Sequence, residues 1–350
     1  MNEILSLVND HIRVLTPYSS ARDDFSGEAE IYLDANESWY DGIERANRYP
    51  DPEAVEVRKA LNKVLSLPFE NTVVGNGSDE IIDLLIRIFC KSGQDSIMIM
   101  RPTYGAYKVF ADINNVRTLN VLLKNDLTLD METILDVIKE ENPKIVFVCS
   151  PNNPTGQVYS IKDISLIAKV NKGITVVDEA YADFDPEFES SVGLISRYPR
   201  LCVLRTLSKA WGIAGARLGI LVADPVIRDI VARVKPPYNV SILAQRAALE
   251  ALGAKDKIIE VRDRVIKDRL ELEKQLLDFR FVRNVIPTRT NFLLVEVKDA
   301  DNLYSYLMCK GIIVRNRSKE PRLKEALRIT IGSPDENMKL LEALREYDGR

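Results

Sequence analysis

Residues 201–219 read LCVLRTLSKAWGIAGARLG, and this stretch decides the fold. A predicted strand ends at Thr206, Lys209 follows in a Ser-Lys pair, and a glycine-bearing segment leads to Arg217 before the next strand. Burial disfavours the charged form of a lysine, and a neutral amine forms an imine with an aldehyde. The hydroxyls of Thr206 and Ser208 and the Arg217 guanidinium suit a phosphate dianion. The stretch therefore predicts a Schiff-base lysine beside a phosphate site, although a solvated lysine is the ordinary alternative.

The sequence on either side alternates short apolar runs with amphipathic segments, from about residue 70 to residue 223. Examples of the apolar runs are TVVG (72–75), SIMIM (96–100) and KIVFVC (144–149), each followed by a helical pattern. Strands that are apolar on both faces and separated by helices predict a mostly parallel sheet covered by helices. The chain has 350 residues, which is more than one core usually serves, so a second, smaller domain is expected.

The pattern changes after about residue 241, where a long helical region begins. Three strands are predicted beyond it, at NFLLVEV (291–297), GIIVR (311–315) and LRITIG (327–332). This arrangement favours a second domain of α+β type, with the first forty-odd residues packed on it. We therefore expect a large α/β domain at residues 45–245 and a small α+β domain formed by residues 1–44 and 246–350.

The composition limits the classes of function. Hydrophobic residues make up 46% and charged residues 29% of the chain, as in ordinary globular proteins. The formal charge of −4 comes without a block of Lys or Arg, so we expect no nucleic acid and no membrane as partner and favour small-molecule substrates. His11 is the only histidine, which disfavours zinc and histidine-based chemistry, and no metal site is predicted.

Residues 1–17, the lengths of the apolar runs and the cysteines indicate the cellular compartment. Residues 1–17 carry charges too early for a secretory signal, and no uncharged run is long enough to span a bilayer. The cysteines lack CxxC spacing and mostly lie in apolar runs, which predicts buried thiols in a reducing compartment; they are Cys90, Cys149, Cys202 and Cys309. A cytoplasmic protein is expected.

Two further stretches place polar side chains after apolar strands. ITVVDEAYADF (174–184) puts Asp178 at a strand end and Tyr181 three residues later, and SPNNPTG (150–156) offers Asn153 after another strand. An aspartate in this position can keep a pyridine nitrogen protonated, while a tyrosine and an asparagine can donate to a ring oxygen. The alternatives are a helix cap for Asp178 and an ordinary turn for SPNNPTG.

A third phosphate element is predicted in GNGSDE (75–80), between a strand and a helix. Small residues such as Gly77 let backbone N–H groups approach a phosphate, and the start of a helix adds favourable polarity near Ser78 and Asp79. Tyr104, in RPTYGAY, can stack on a planar ring. The alternatives are a common glycine turn before a capped helix and an aromatic ring used for packing.

These stretches form an ordered set: GNGSDE, PTY, SPNNPTG, DEAY, TLSK and ARLG. The set resembles the fold-type I enzymes that use pyridoxal 5'-phosphate (PLP), the aspartate aminotransferase superfamily, over nearly the whole chain. The resemblance implies that Lys209 is the catalytic residue, which binds PLP as a Schiff base and shuttles a proton. The other candidate cofactor residues are Gly77, Ser78, Asp79, Tyr104, Asn153, Asp178, Tyr181, Thr206, Ser208 and Arg217.

The resemblance extends to the substrate. Arg328 lies in a predicted strand, where the resemblance implies that it binds a substrate carboxylate; a surface ion pair is the ordinary alternative. The segments that resemble the subgroup acting on histidinol phosphate are IRVLTPYSSAR (12–22), IYLDANESWY (31–40), ANRYPDP (46–52) and GIIVRNRSKEPRLKEALRITIG (311–332). The further substrate residues that this implies are Tyr18, Asn36, Tyr49 and Arg315.

The resemblance implies transamination of L-histidinol phosphate with 2-oxoglutarate, in histidine biosynthesis, by a homodimer in which Tyr49 reaches the neighbouring site. LDANESWY departs from the subgroup's usual NENP, which affects the shape of that loop. The alternatives are a related PLP enzyme, such as threonine-phosphate decarboxylase or an aromatic amino acid aminotransferase. A non-catalytic nucleotide-binding module is a further alternative, but the chain has neither a GxGxxG fingerprint nor a P-loop.

Overall fold

The structure is a computed structural model that describes residues 3–17, 30–43 and 46–349. The helices within these ranges are α1 (Asp10–Arg13), α2 (Val55–Leu65), α3 (Ser78–Phe89), α4 (Ala106–Ile113), α5 (Met131–Glu141), α6 (Ile161–Val170), α7 (Pro225–Val234), α8 (Ile242–Gly253), α9 (Lys255–Leu277), α10 (Ala300–Cys309) and α11 (Pro334–Asp348). Short 3-10 turns lie at Phe69–Asn71, Ala182–Phe184, Ser191–Leu194 and Ala214–Ala216.

The strands form two separate sheets. They are β1 (Thr72–Asn76), β2 (Ser96–Arg101), β3 (Arg117–Leu122), β4 (Ile145–Cys149), β5 (Ile174–Asp178), β6 (Leu201–Thr206), β7 (Leu218–Val222), β8 (Val282–Ile286), β9 (Phe292–Val297), β10 (Arg315–Asn316) and β11 (Ala326–Thr330). The larger sheet has the order β1-β7-β6-β5-β4-β2-β3, and only β7 runs antiparallel to its neighbours. The predicted mixed α/β fold with a large, mostly parallel sheet is confirmed.

The central strands of the larger sheet are buried on both faces, which explains why they are largely apolar, whereas the edge strand β3 is mostly exposed. In β4, Val146 and Val148 point into one core, together with residues of α2, α5, α6 and α8. Ile145 and Phe147 point into the other core, which α3, α4 and α7 cover. Because successive side chains of a strand alternate between faces, a strand buried on both sides has no polar positions left in its middle. Polar chemistry is therefore confined to the strand ends.

The smaller sheet is antiparallel, with the order β10-β11-β9-β8. Its core is formed with α9, α10 and α11 and includes Leu293 and Val295 of β9 and Leu327 and Ile329 of β11. Leu294 and Ala326, on the opposite face, pack in a separate small cluster. This second face of β11, which also carries Arg328, is the one that contacts the larger sheet's loops.

The start of the chain packs against the larger sheet. Ile4 and Val8 join the core around α3, and the Asn9 side-chain amide donates to the carbonyl oxygens of Arg87 at 2.8 Å and Cys90 at 2.9 Å. We expected the first forty-odd residues to pack on the smaller domain. The segment at the start of the chain packs on the larger sheet instead. The division into residues 45–245 and the rest remains our proposal for the domain limits.

Three of the four cysteines, Cys90, Cys149 and Cys202, are buried, and Cys309 at the end of α10 is exposed. Among the described residues, no helix is long and apolar enough to cross a bilayer. Within the same ranges, no three His, Cys, Asp or Glu side chains are grouped as metal ligands would be.

Several helices begin with a side-chain cap, whereas others, including α3 at the site, do not. The Asp224 side chain accepts from the Val226 amide before α7, and Ser333 and Glu336 form a capping box at α11. Helix α3 instead begins after Gly77, which has no side chain to cap it. Its first amides are therefore left for another acceptor, because the first turn of a helix has N–H groups without partners in the helix.

Candidate active site

A cavity lies where β4, β5 and β6 end, next to the start of α3. The residues that line it are Ser78, Asp79, Tyr104, Cys149, Asn153, Asp178, Ala180, Tyr181, Thr206, Ser208, Lys209 and Arg217. Every predicted cofactor residue except Gly77 is among them, and Gly77 is the N-cap of α3 beside Ser78. Parallel neighbours end at the same edge of a sheet, and this places the separate sequence stretches side by side.

Lys209 follows β6 on a tight turn inside the cavity. The Ser208 amide donates to Thr206 Oγ1 at 3.1 Å, and the Gly212 amide donates to the Lys209 carbonyl oxygen at 3.1 Å. The Lys209 ammonium lies 5.5 Å from the centre of the Tyr181 ring. Partial burial lowers the pKa of Lys209, and the Arg328 charge lowers it further, while Asp178 and Asp79 act in the opposite direction. The neutral amine, which is the nucleophilic form, is thus reached at lower pH than for a solvated lysine.

Asp178 ends β5 as a deeply buried carboxylate. It accepts a hydrogen bond from the Tyr107 hydroxyl at 2.6 Å and another from the Ala180 amide at 3.1 Å. Among the described residues, no lysine or arginine forms an ion pair with it. Burial raises the pKa of Asp178, and these two hydrogen bonds oppose the rise. A buried carboxylate without a cation is costly, so the site is suited to a protonated ring nitrogen.

Tyr107 was missed by the sequence analysis, which took only Tyr104 from RPTYGAY. The Tyr107 ring is fully buried in α4 and stacks on Phe147, with ring centres 4.7 Å apart and planes 12° apart. Its hydroxyl fixes one oxygen of Asp178. Tyr104 lies before the start of α4 and its ring packs edge-on against Tyr107, so the second tyrosine of RPTYGAY was the available signal.

Tyr104, Asn153 and Tyr181 surround the middle of the cavity. The Tyr104 hydroxyl donates to Asp79 Oδ1 at 2.9 Å, and Asn153 Nδ2 donates to the Tyr181 hydroxyl at 3.4 Å. Burial raises the pKa of Tyr181 to about 12, although the Arg328 charge opposes this. Tyr181 is therefore protonated at neutral pH and able to donate its hydrogen to a ring oxygen.

The phosphate end depends on two glycines. Gly77 has a φ of +82°, and a Cβ there would lie 2.5 Å from Arg217 Nη2. A Cβ on Gly219 would lie 2.3 Å from both the Gly77 carbonyl carbon and the Ser78 nitrogen. Only glycine permits this approach of β7 and Arg217 to the start of α3. Gly219 was not predicted, although it is the glycine of the ARLG motif.

Arg217 and the first turn of α3 supply the charge at this end. Arg217 Nη2 lies 3.1 Å from Asp79 Oδ2, and both side chains remain partly exposed. Thr206 Oγ1 donates to the Leu218 carbonyl oxygen at 3.0 Å and thereby joins β6 to β7. Uncapped helix amides, an arginine and nearby hydroxyls form a suitable cradle for a phosphate.

A buried ionic network below the cavity was also missed. Glu179 accepts from the Ser190 hydroxyl and the Ser191 amide, each at 2.6 Å, and from Arg205 at 3.4 Å. Arg205 also pairs with Asp183, which accepts from the Trp211 indole at 3.0 Å. The network ties the segment after β5 to the segment after β6. It thus fixes the positions of Asp178 and Lys209 relative to each other. In the sequence, the one sign of this network was the glutamate that directly follows Asp178.

Arg328 of the smaller sheet contacts Asn153, one of the residues that line the cavity. It is half-buried in β11, donates from Nη1 to Asn153 Oδ1 at 2.5 Å and lies 5.3 Å over the centre of the Phe292 ring. No carboxylate of the described residues forms an ion pair with it. Arg315 stands directly opposite Arg328 in the register of β10 and β11, but its side chain is exposed. Among the described residues, Arg328 therefore does not form the surface ion pair that was its alternative reading.

Two further predicted substrate residues, Tyr49 and Asn36, are not among the residues that line this cavity. Tyr49 is about half exposed and stacks on Tyr238, with ring centres 4.4 Å and planes 20° apart. Its amide donates to Glu37 at 2.6 Å. Asn36 is exposed and has a φ of +53°. Tyr18 lies outside the described residues.

The family model of aminotransferase class I and II matches residues 33–344. The chain therefore belongs to the class I and II aminotransferases, a family that depends on PLP. A histidinol-phosphate aminotransferase of Flavobacterium johnsoniae is 43% identical over 347 residues, covering 98% of each chain. One of Parabacteroides distasonis is 43% identical over 345 residues, covering 99% of each. The solved histidinol-phosphate aminotransferase of Clostridium acetobutylicum matches with a TM-score of 0.80 and 27% identity, over 88% of this chain and 92% of that one.

The predicted enzyme class and cofactor are thus confirmed, and the cavity fits that cofactor. The unpaired buried carboxylate of Asp178 matches a protonated pyridine nitrogen, and the cradle at Gly77 and Gly219 matches a phosphate. Lys209 lines the same cavity, and burial lowers its pKa.

Proposed function

We propose that the protein transfers the amino group of L-histidinol phosphate to 2-oxoglutarate, which gives imidazole acetol phosphate and glutamate in histidine biosynthesis. The observation that carries the proposal is the cavity in which Lys209 and the unpaired carboxylate of Asp178 lie beside Arg328. The choice of substrate is supported by the relatives of 43% identity, which match over essentially their whole length.

Each residue of the cofactor end has a separate task in this proposal. When bound, PLP supplies an aldehyde for amine exchange and a ring that withdraws electrons from the reacting carbon. Asp178 keeps a proton on the ring nitrogen, and Tyr181 and Asn153 donate to the ring oxygen. Lys209 provides the amine that anchors the cofactor and afterwards carries the proton at the substrate carbon. The cofactor phosphate is held by the amides of α3 and by the side chains of Ser78, Thr206, Ser208 and Arg217.

The substrate end must accept two different anions in turn. Histidinol phosphate has no α-carboxylate, so its phosphate takes the position in which the carboxylate of glutamate meets Arg328. A guanidinium suits both groups, because its donors match the paired oxygens of a carboxylate and of a phosphate. Asn36, Tyr18 and Arg315 are the further substrate residues of the proposal.

The proposed enzyme is a cytoplasmic homodimer with shared sites. Tyr49 is about half exposed and does not line the cavity of its own chain, which suits a role at the site of a neighbouring subunit. Large hydrophobic side chains are exposed nearby, including Leu33, Trp39 and Ile43. Exposed apolar side chains of this size often mark a protein interface.

Single-turnover absorbance of the PLP-loaded protein tests the substrate. Histidinol phosphate, glutamate, phenylalanine and threonine phosphate are each mixed with the enzyme, and conversion of bound PLP to its amine form is followed. We expect histidinol phosphate to react with the highest second-order rate constant and glutamate to react measurably. A higher value for phenylalanine or threonine phosphate, or release of CO₂ from the latter, contradicts the proposed function and leaves the PLP assignment intact.

A further inference from the structure

Arg317 continues the pairing of β10 with β11 beyond the two residues of the strand. Arg315 is opposite Arg328 and Asn316 is opposite Leu327, and the Arg317 amide donates to the Ala326 carbonyl oxygen at 2.8 Å. Residues two apart on a strand share a face, and directly opposed residues share it as well. Three guanidinium-bearing residues, Arg315, Arg317 and Arg328, therefore stand on the same face of the smaller sheet.

Arg317 is far more buried than Arg315. Only 16% of the Arg317 side chain is exposed, whereas Arg315 is an exposed residue. The Nε atoms of Arg317 and Arg328 are both buried, and neither has a hydrogen-bond partner in the part of the chain that the structure describes. A buried donor without an acceptor costs free energy, so both side chains are poised for an oxygen-rich ligand.

The protein neutralises this positive charge poorly. The nearest carboxylate to Arg317 is Glu320, at 3.9 Å between Nη1 and Oε1, and the other Glu320 oxygen already pairs with Arg101 at 3.1 Å. Arg328 is hydrogen-bonded to the neutral amide of Asn153. Among the described residues, the two partly buried cations thus have one carboxylate near them, that of Glu320, which Arg101 also shares.

The pKa shifts of Arg317 and of Tyr181 also indicate that Arg317 lies near the cavity. Burial lowers the pKa of Arg317, and repulsion from Arg328 and Arg315 lowers it further. Both Arg317 and Arg328 act on the Tyr181 hydroxyl, where their charges oppose the rise in its pKa. Arg317 therefore lies within electrostatic range of the cavity that contains Lys209.

We propose that Arg317 is a specificity-determining residue that binds the substrate phosphate together with Arg328. This inference rests on the proposed function and adds a residue to its substrate end. A phosphate near neutral pH carries nearly two negative charges and three acceptor oxygens, whereas a carboxylate carries one charge and two oxygens. Arg328 matches the carboxylate of glutamate, and Arg317 supplies a further cation for the phosphate.

The test compares Arg317→Gln and Arg317→Lys with a matched control, Arg101→Gln. Arg101 is the other cation on Glu320, so its variant disturbs the same contact between the two sheets without removing charge from the face of Arg328. For each PLP-loaded protein, the apparent dissociation constants of histidinol phosphate and of glutamate are measured in separate half-reactions. Thermal unfolding and the absorbance of bound PLP report whether the fold and the cofactor end are intact.

We expect Arg317→Gln to weaken histidinol phosphate binding by about tenfold to a hundredfold, as for loss of a charge-assisted hydrogen bond. Glutamate binding should change by less than about threefold, because one guanidinium suffices for a carboxylate. Arg317→Lys keeps the charge and should lie between wild type and Arg317→Gln. Arg101→Gln should leave the ratio of the two constants unchanged. Equal weakening of both substrates by Arg317→Gln, or the same change of ratio in Arg101→Gln, overturns the proposal.

Inorganic phosphate provides an arm that does not depend on histidinol phosphate. Its competition against glutamate is measured in wild type and Arg317→Gln, and the inhibition constant should rise by about tenfold or more in the variant. An unchanged constant overturns the role of Arg317. A wild type that fails to react with histidinol phosphate refutes the proposed function instead, and the phosphate arm still decides whether Arg317 binds a phosphate.

Discussion

The cofactor end and the substrate end of the cavity are built in different ways. The cofactor end consists of residues that follow neighbouring strands of one sheet and line one cavity within a single chain. The substrate end has Arg328 of β11 in the smaller sheet and, in our proposal, residues from the beginning of the chain; of these, Tyr49 and Asn36 are not among the residues that line the cavity. The difference teaches that strand order brings together a site built on one sheet, whereas a site that draws on distant segments depends on how those segments pack.

The two ends also differ in charge. At the cofactor end Arg217 is paired with Asp79, and no ion pair of the described residues includes the buried carboxylate of Asp178. At the substrate end, within the same residues, Arg328 has no ion pair and Arg317 only a long one of 3.9 Å with Glu320. The charge of the cofactor end thus complements a protonated cofactor ring, and the charge of the substrate end complements a substrate anion.

The sharpest way to test the cofactor end is Lys209→Ala. Transamination should fall by about a thousandfold or more, because both the anchoring amine and the proton carrier are lost. The melting temperature should remain close to that of wild type, since Lys209 is exposed on one side and packs little. Steady-state turnover and thermal unfolding measure the two effects. Repeated turnover at a rate near the wild type contradicts the assignment.

Asp178→Asn should lower the catalytic rate constant by about a hundredfold or more, since an amide does not keep the ring nitrogen protonated. Its effect on stability should depend on PLP. Because burial raises the pKa of Asp178 above its value in the unfolded chain, this group costs stability as pH rises above that ordinary value.

Thermal unfolding at several pH values checks this second part. At neutral pH and without PLP, Asp178→Asn should therefore unfold at the same temperature as wild type or higher. With PLP bound, the order should reverse. A variant that is strongly destabilised without PLP, or that turns over at nearly the wild-type rate with PLP bound, contradicts the assignment.

Mixing subunits tests whether the substrate end needs a second chain. Lys209→Ala and Tyr49→Phe subunits are each expected to be inactive, and a hybrid dimer has one site in which both residues are intact. Since half of randomly mixed dimers are hybrids with one such site, roughly a quarter of wild-type activity should return. Activity after proven subunit exchange is the measurement. No recovery means that Tyr49 does not act across the interface.

The smallest effect is expected from Tyr107→Phe, which removes one hydrogen bond to Asp178. Loss of a single hydrogen bond to a charged group should reduce turnover by about fivefold to tenfold and shift its acid limb. Tyr159→Phe, another buried tyrosine on the opposite core face, is the control and should leave the pH profile unchanged. Identical profiles for wild type and Tyr107→Phe show that this hydroxyl does not tune the carboxylate.

The residues that could be predicted from the sequence also differ between the cofactor end and the substrate end. Lys209, Asp178 and Asn153 were placed correctly in one cavity because each follows an apolar strand, and parallel strands end at a common edge. Tyr107 and Glu179 were missed because a buried side chain that supports another one has no signature of its own in the sequence. Arg315 was chosen from its motif, whereas Arg317 is the more buried of the two arginines.

The sequence by itself determined the alternation of buried strands and helices, the order of the polar stretches at the strand ends and the residue types that suit PLP. These features depend on local periodicity and on short motifs, which a linear chain displays directly. Only the tertiary structure decided which side chains meet across the two sheets: Arg328 with Asn153, Tyr107 with Asp178, and Arg317 on the face of Arg328. Such contacts join residues far apart in the chain, and strand register and burial set them rather than any local pattern.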